Sequence, residues 1–150
     1  MYSDFLSYFE ANKQKIQQYG KRDIVRQEWI DDVEKELGSP LPDSYKWWCK
    51  EFEYFLFNSH HVFSVTLPSE RDLAAEIDIL YTYNINLENG ILNNDQLSIF
   101  EPEDELYYFD IVEGIDGNEY KVYLKDYYSD TKDVYADNFL EFLKMKISEL

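Results

Sequence analysis

The fold class this sequence predicts is α+β, an antiparallel meander with helices packed on one face, and three observations carry it. Residues 2–57 space their apolar side chains mostly at helical intervals, residues 97–135 alternate them as strands do, and short turn-forming clusters separate the strands. At 150 residues, with no internal repeat, low-complexity tract or Pro- or Gly-rich linker, residues 1–150 read as a single domain. The 45% apolar fraction, with 14 Tyr, 10 Phe and 3 Trp, is enough to pack a core despite the charge.

Taken in order, Tyr2, Phe5, Phe9 and Ile16 recur at roughly helical spacing until Tyr19-Gly20 interrupts. Val25, Trp29, Val33 and Leu37 follow at steps of four, with Ile30 beside them, as one apolar stripe. Gly38 then stands where a helix end wants a residue able to take positive φ, and Pro40 forbids continuation. Pro42 suits the first turn of a second helix, and Asp43 complements its positive end. Tyr45, Trp48, Cys49 and Phe52 supply that helix with positions i, i+3, i+4 and i+7. Leu41, between the prolines, is expected in the core.

Alternation over residues 62–67 turns Phe63, Val65 and Leu67 to one face, as in a half-buried strand. Ser69 with Asp72 forms a capping arrangement for a helix whose stripe is Leu73, Ile77, Leu80 and Tyr81, followed by a loop over residues 84–95. Residues 97–100 and 105–112 read as strands joined by "EPED". The connection "EGIDGNE", with the strong turn signal Asp116-Gly117, leads to alternating Tyr120, Val122 and Leu124. Val134-Tyr135 is a short strand, and Phe139, Phe142, Leu143, Ile147 and Leu150 make a closing amphipathic helix.

Fourteen basic against 31 acidic side chains leave a formal charge of −17, which excludes direct nucleic-acid binding, since phosphate affinity rests on Lys and Arg. Basic partners would be attracted instead. The excess is uneven: residues 1–75 carry 9 basic and 13 acidic groups, residues 76–150 carry 5 and 18, and no Lys or Arg occurs between Arg71 and Lys121. The bland reading of this interval is a solvated surface that aids solubility. The functional one is an anionic, Tyr-rich recognition face, because Tyr is enriched at interfaces and complementary charge speeds encounter.

The lone Cys49 has no intramolecular disulfide partner, and neither an N-terminal apolar h-region nor a run of 18 apolar residues occurs, so the cytoplasm is the expected compartment and no membrane contact is expected. For chemistry the sequence offers little. His60 and His61 are adjacent, so on a strand they would point to opposite faces and could not act jointly; a structural or surface role is expected. Cys49 lies on an apolar stripe and reads as a buried small hydrophobe. Asn84, Asn86 and Glu88 faintly imitate a calcium loop, but Gly90 is one place late and Asp95 replaces the terminal Glu, so a plain polar loop is expected and no metal site. No phosphate-cradling glycine spacing occurs, no cofactor is expected, and carboxylates are too numerous for any pair to identify a catalytic acid and base.

Ile30-x2-Val33-Glu34-x2-Leu37-Gly38-x2-Leu41-Pro42-x2-Tyr45-Lys46 resembles the N-terminal signature of the SUKH superfamily, the Smi/Knr-like domains. "LYYFDI" at residues 106–111 resembles the family's central strand, and "ADNFLEFL" at residues 136–143 its final helix. The resemblance implies a SUKH-like fold and a noncatalytic protein-binding domain, with no catalytic residue to carry over. Many bacterial relatives are immunity proteins that neutralise a toxin, often a nuclease, whereas fungal relatives are regulatory scaffolds. The expectation is thus an immunity protein, or antitoxin, whose partner is a cognate toxin domain, a basic nuclease fitting the charge. The alternative is a regulatory scaffold binding an endogenous protein. The expected partner-binding residues are Tyr81, Tyr83, Glu101, Glu103, Asp104, Glu105, Tyr108, Asp110, Glu113, Asp116 and Glu119, with Tyr81, Tyr83 and Tyr108 as central anchors.

Overall fold

The apolar stripes of the N-terminal half become three helices that share a core. In the computed structural model, which describes residues 1–20, 24–111, 118–129 and 131–150, helix α1 (Tyr2–Asn12) buries Phe5 and Phe9. Helix α2 (Gln27–Leu37) buries Ile30 and Val33, and α3 (Asp43–Phe52) buries Tyr45, Trp48, Cys49 and Phe52. Phe5, Phe9, Trp47 and Phe52 meet edge-on, with Phe9 and Phe52 centroids 4.8 Å apart.

The α2–α3 corner follows its punctuation. Gly38 takes φ +71°, and its N–H donates to the Glu34 carbonyl at 2.9 Å. Leu41 is 1% exposed; its N–H donates to Glu34 Oε2 at 2.7 Å, and the Tyr120 hydroxyl donates to the Pro40 carbonyl at 2.9 Å. Nothing lies within 4 Å of where a Cβ on Gly38 would stand, so a side chain there is opposed by backbone conformation alone. Gly38→Val should therefore destabilise the protein more than Gly38→Asn by about 1 kcal/mol, since Asn tolerates the left-handed region and a β-branched residue does not. Equal melting temperatures for the two variants would contradict this account.

The sheet is one continuous antiparallel meander in sequence order: β1 (Gln18–Tyr19), β2 (Phe55–Phe57), β3 (His60–Val62), β4 (Gln96–Phe100), β5 (Glu105–Asp110), β6 (Val122–Asp126) and β7 (Asp133–Ala136). Along β5, Tyr107 and Phe109 turn toward the aromatic core and Leu106 and Tyr108 to the opposite side, as the two-residue strand period requires. Helix α5 (Phe139–Ser148), capped by the Asn138 side chain, lays Phe139, Phe142, Leu143 and Ile147 into that core. Phe139 sits 5.0 Å from Tyr45 and 5.2 Å from Trp48, ring centre to ring centre. The α+β class and the antiparallel meander are as the sequence predicts.

Several boundaries differ from expectation. Strands β1 and β2 lie in the region read as mostly helical; Phe55, Leu56 and Phe57 are all buried, so their short apolar run carries no alternation to read. The strand expected over residues 62–67 ends at Val62. Beyond it Ser64 makes only a single parallel bridge to Asp78, and Leu67 is exposed. Ser69 does not open an α-helix: residues Pro68–Ala74 form a short 3-10 helix that leaves Leu73 82% exposed. Helix α4 (Ile79–Glu88) starts instead at Asp78, whose carboxylate accepts the Tyr81 N–H at 2.8 Å. Residues 84–88 are consequently helical rather than loop, which removes the calcium-loop imitation. The expected turn at Asp116-Gly117 and the end of the strand at Val112 lie outside the described residues.

Candidate protein-binding surface

Strand register gathers three turns at one end of the sheet. The β2–β3 turn closes at the pair Phe57 and His60, the β4–β5 turn lies between Phe100 and Glu105, and the β6–β7 turn begins at Asp126 opposite Glu105. Asn58 and Ser59 both take positive φ, as a two-residue hairpin turn demands. In "EPED", Glu103 also takes positive φ, and the Glu105 N–H donates to the Pro102 carbonyl at 3.1 Å. The Tyr127 N–H donates to the Asp104 carbonyl at 2.7 Å, fastening the β6–β7 turn to the β4–β5 turn.

The surface so assembled is acidic and aromatic. Glu103, Asp104 and Glu105 are exposed, and among the described residues no Lys or Arg stands within ion-pair distance of any of the three. Beside them Tyr128 is 83% exposed and packs edge-on against the partly exposed Tyr127. Between this turn and the last turn of α5 lies a cleft of about 320 Å³, floored by Phe57 and Phe100 and bordered by His60, Pro102, Glu105 and Glu149.

Lys146 reaches the base of the cleft, but its charge is already engaged. Its Nζ donates to the Tyr107 hydroxyl at 2.6 Å and to Glu149 at 2.9 Å, and it stands 4.2 Å from the Tyr107 ring centre. Burial opposes the ammonium, yet these two partners prevail and hold its pKa above the ordinary lysine value. Glu149 is likewise held below the usual carboxylate value, against partial burial, by the Tyr135 hydroxyl at 2.7 Å and by Lys146. The Tyr135 phenol is pushed well up by burial and by its bond to Glu149.

The expected partner-binding residues do not form one face. Glu103, Asp104 and Glu105 stand together at the turn end, and Glu101 adjoins them, accepting the Asn86 side-chain amide at 2.9 Å. Asp110 and Glu119 lie at the other end of β5, roughly 17 Å of strand away. There Asp110 pairs with Lys132 at 2.6 Å. Glu119 accepts the Ser44 N–H at 2.9 Å and the Ser44 hydroxyl, so it serves the start of α3. Partial burial raises its pKa, and the Ser44 bonds only partly oppose that.

Two of the three expected anchors are interior residues. Tyr108 is 1% exposed and stacks on Tyr123, and Tyr83 is 8% exposed with its hydroxyl donating to the Asn94 carbonyl at 2.9 Å. Only Tyr81 keeps partial exposure, in a neighbouring cleft with His61, Ile85 and Asn86. Glu113 and Asp116 lie outside the described residues. Conversely, Tyr127, Tyr128, Asp126 and Glu149 belong to the turn end and were not anticipated. The signal available for them was "DYYSD", an aromatic pair flanked by turn-forming residues between two strands.

His60 and His61 are consecutive residues of β3; His60 borders both clefts and His61 the second alone, and burial lowers the His61 pKa. Cys49 is fully buried near the Ser64 hydroxyl, and burial pushes its thiol up to about 12, which keeps it protonated. Among the described residues no group of His, Cys, Asp and Glu is arranged to hold a metal ion, and no helix is long and apolar enough to cross a membrane. What this geometry offers chemically is recognition: a carboxylate rim, exposed phenols and a cleft with an aromatic floor.

Comparison with known families finds a match over residues 27–143 to the one described as SMI1-KNR4 cell-wall, SUKH_6. Comparison with the curated proteins finds no match.

Proposed function

The chain belongs to the SUKH superfamily, and from that premise we propose that it is a noncatalytic, cytoplasmic immunity protein that binds and neutralises a cognate bacterial toxin, a basic nuclease. SUKH domains are in general noncatalytic immunity or regulatory proteins. The observation that carries the reading is the exposed carboxylate rim of Glu103, Asp104 and Glu105, which among the described residues has no Lys or Arg within ion-pair distance, beside exposed Tyr127 and Tyr128. A nuclease must present a basic surface to phosphate, and a carboxylate rim competes for that surface. The second reading, a regulatory scaffold for an endogenous partner, draws its support from the cell-wall description of the matching family.

The test joins a biological and a kinetic measurement. Co-expression with a toxin encoded beside this gene should protect the producing cell, and failure to protect against any neighbouring toxin favours the scaffold. With that toxin in hand, a folded Glu103→Gln, Asp104→Asn variant should associate about tenfold more slowly at low salt, with added salt closing the gap because rim charges act through screened steering. Unchanged association at low salt would move the binding face elsewhere and leave the acidity a role in solubility.

A further inference from the structure

The cleft beside the β4–β5 turn adds an aromatic floor to the carboxylate rim, since Glu103, Asp104 and Glu105 all line it. Its floor is the edge-to-face pair Phe57 and Phe100, centroids 5.9 Å apart, with Pro102 and the His60 ring at the sides and the Glu105 and Glu149 carboxylates at the border. Lys146, the one cation among its lining residues, is engaged by Glu149 and the Tyr107 hydroxyl, so the cleft's net negative charge comes from Glu105 together with Glu103 and Asp104, which also line it. The cleft is apolar below and negative above.

That order suits a side chain with an apolar stem and a cationic head. An anion would meet the carboxylates first, and a purely apolar side chain would leave them unanswered. The volume, about 320 Å³, lies at the low end for ligand sites, enough for one long side chain rather than a folded segment. Between the two cations, arginine fits better than lysine: its planar guanidinium stacks on aromatic faces and meets carboxylates as a fork, whereas an ammonium is a compact, strongly hydrated charge. Resting on the reading above, that the partner is a basic protein, we infer that this cleft receives an arginine side chain of that partner. Rim carboxylates would set how fast the partner arrives, and the seated arginine how long it stays.

The cleft can be tested without the partner. The full chain is titrated with Nα-acetyl-arginine N-methylamide and followed by amide NMR shifts. Saturable shifts are expected at Phe57, His60, Phe100 and Glu105, with binding at least about tenfold weaker for the lysine analogue and for the neutral citrulline analogue. Glu105→Gln, which removes a border carboxylate, and His60→Trp, which fills the cleft without adding charge, should each weaken the arginine probe about tenfold. The amide spectrum of each variant shows whether it is folded, and Glu105→Gln alone suffices if His60→Trp is not. No saturable shift, equal binding of citrulline or lysine, or shifts that leave Phe57 and Phe100 unmoved would overturn the inference. Failure of toxin protection with arginine binding intact would remove the immunity reading and leave the cleft; protection without arginine binding would do the reverse.

Discussion

Asp78→Ala lowers the unfolding free energy by about 3–5 kcal/mol, the range for breaking a buried ion pair that also caps a helix. Asp78 is fully buried and serves four groups at once. Its oxygens accept the Tyr81 N–H at 2.8 Å, the Thr66 N–H at 3.2 Å and the Thr66 hydroxyl at 2.8 Å. Arg71 Nε lies 3.1 Å away, out of line for a hydrogen bond, so that contact is electrostatic. Arg71 also reaches Asp32 of α2 at 2.9 Å, and the carboxylate therefore joins α2, the 3-10 helix and the start of α4. Removing it strands two backbone donors and the Arg71 Nε, leaving the guanidinium, among the described residues, only its bond to Asp32. Asp78→Asn, which keeps an acceptor for the cap, should fall between alanine and wild type. In an Arg71→Met background the alanine loss should shrink, because no buried cation is left behind. Denaturant unfolding measures all of these, and a loss under about 1 kcal/mol for Asp78→Ala would remove it from the structural role described.

Asp78 also shows where the sequence was hard to read. Ser69 and Asp72 imitate a capping box, but Pro68 begins a 3-10 helix, whose threefold period cannot keep Leu73 on the face of Ile77 and Leu80. The better signal was Asp78 immediately before Ile79 and Leu80, with Tyr83 one turn beyond Ile79. The corner at Gly38 was legible because glycine and proline act on their own backbone, and neither needs a tertiary neighbour to make its meaning plain. Strand β2 was illegible for the opposite reason: three buried residues become a strand only through their neighbours, β3 on one side and β1 on the other, where the Gly20 N–H donates to the Tyr54 carbonyl at 2.8 Å. A Cβ on Gly20 would stand 2.1 Å from the Phe52 carbonyl oxygen, so that approach admits glycine alone.

The candidate surface was half legible. "EPED" reads as an exposed acidic turn from composition alone, and it is one. Register, however, decides which turns share an end of the sheet, and register is a tertiary fact. It sends Asp110 and Glu119 away from Glu103 and brings Tyr127 to Asp104 across 23 positions of sequence. Tyr83 and Tyr108 misled because phenols satisfy two rules at once: enrichment at interfaces and large apolar area in cores. Their burial engages the phenols inside the protein, Tyr108 against the Tyr123 ring and Tyr83 on the Asn94 carbonyl.

Phe139→Ala should destabilise the protein by about 3–5 kcal/mol and lower its melting temperature on the order of 10 °C. Phe139 is fully buried at the first turn of α5, where its ring meets Tyr45 at 5.0 Å, Trp48 at 5.2 Å, Phe109 at 6.1 Å and Phe142 at 5.9 Å. Two helices and the sheet converge on it: α3 through Tyr45 and Trp48, the sheet through Phe109, and its own helix through Phe142. Alanine leaves a cavity that rigid aromatic neighbours cannot collapse to fill, which places the loss at the upper part of the range. Trp48→Phe offers the contrast. It too removes buried volume, but the Trp48 Nε1 donor is buried with no hydrogen-bond partner among the described residues, so its deletion also removes a desolvated polar group and the net loss should be smaller. The same helix carries Lys146 and Glu149 to the cleft, so a loosened α5 should release the Lys146 and Tyr107 contact as well. Thermal unfolding of Phe139→Ala within about 3 °C of wild type would mean that α5 does not depend on this anchor, and that the cleft at its far end is positioned by the sheet alone.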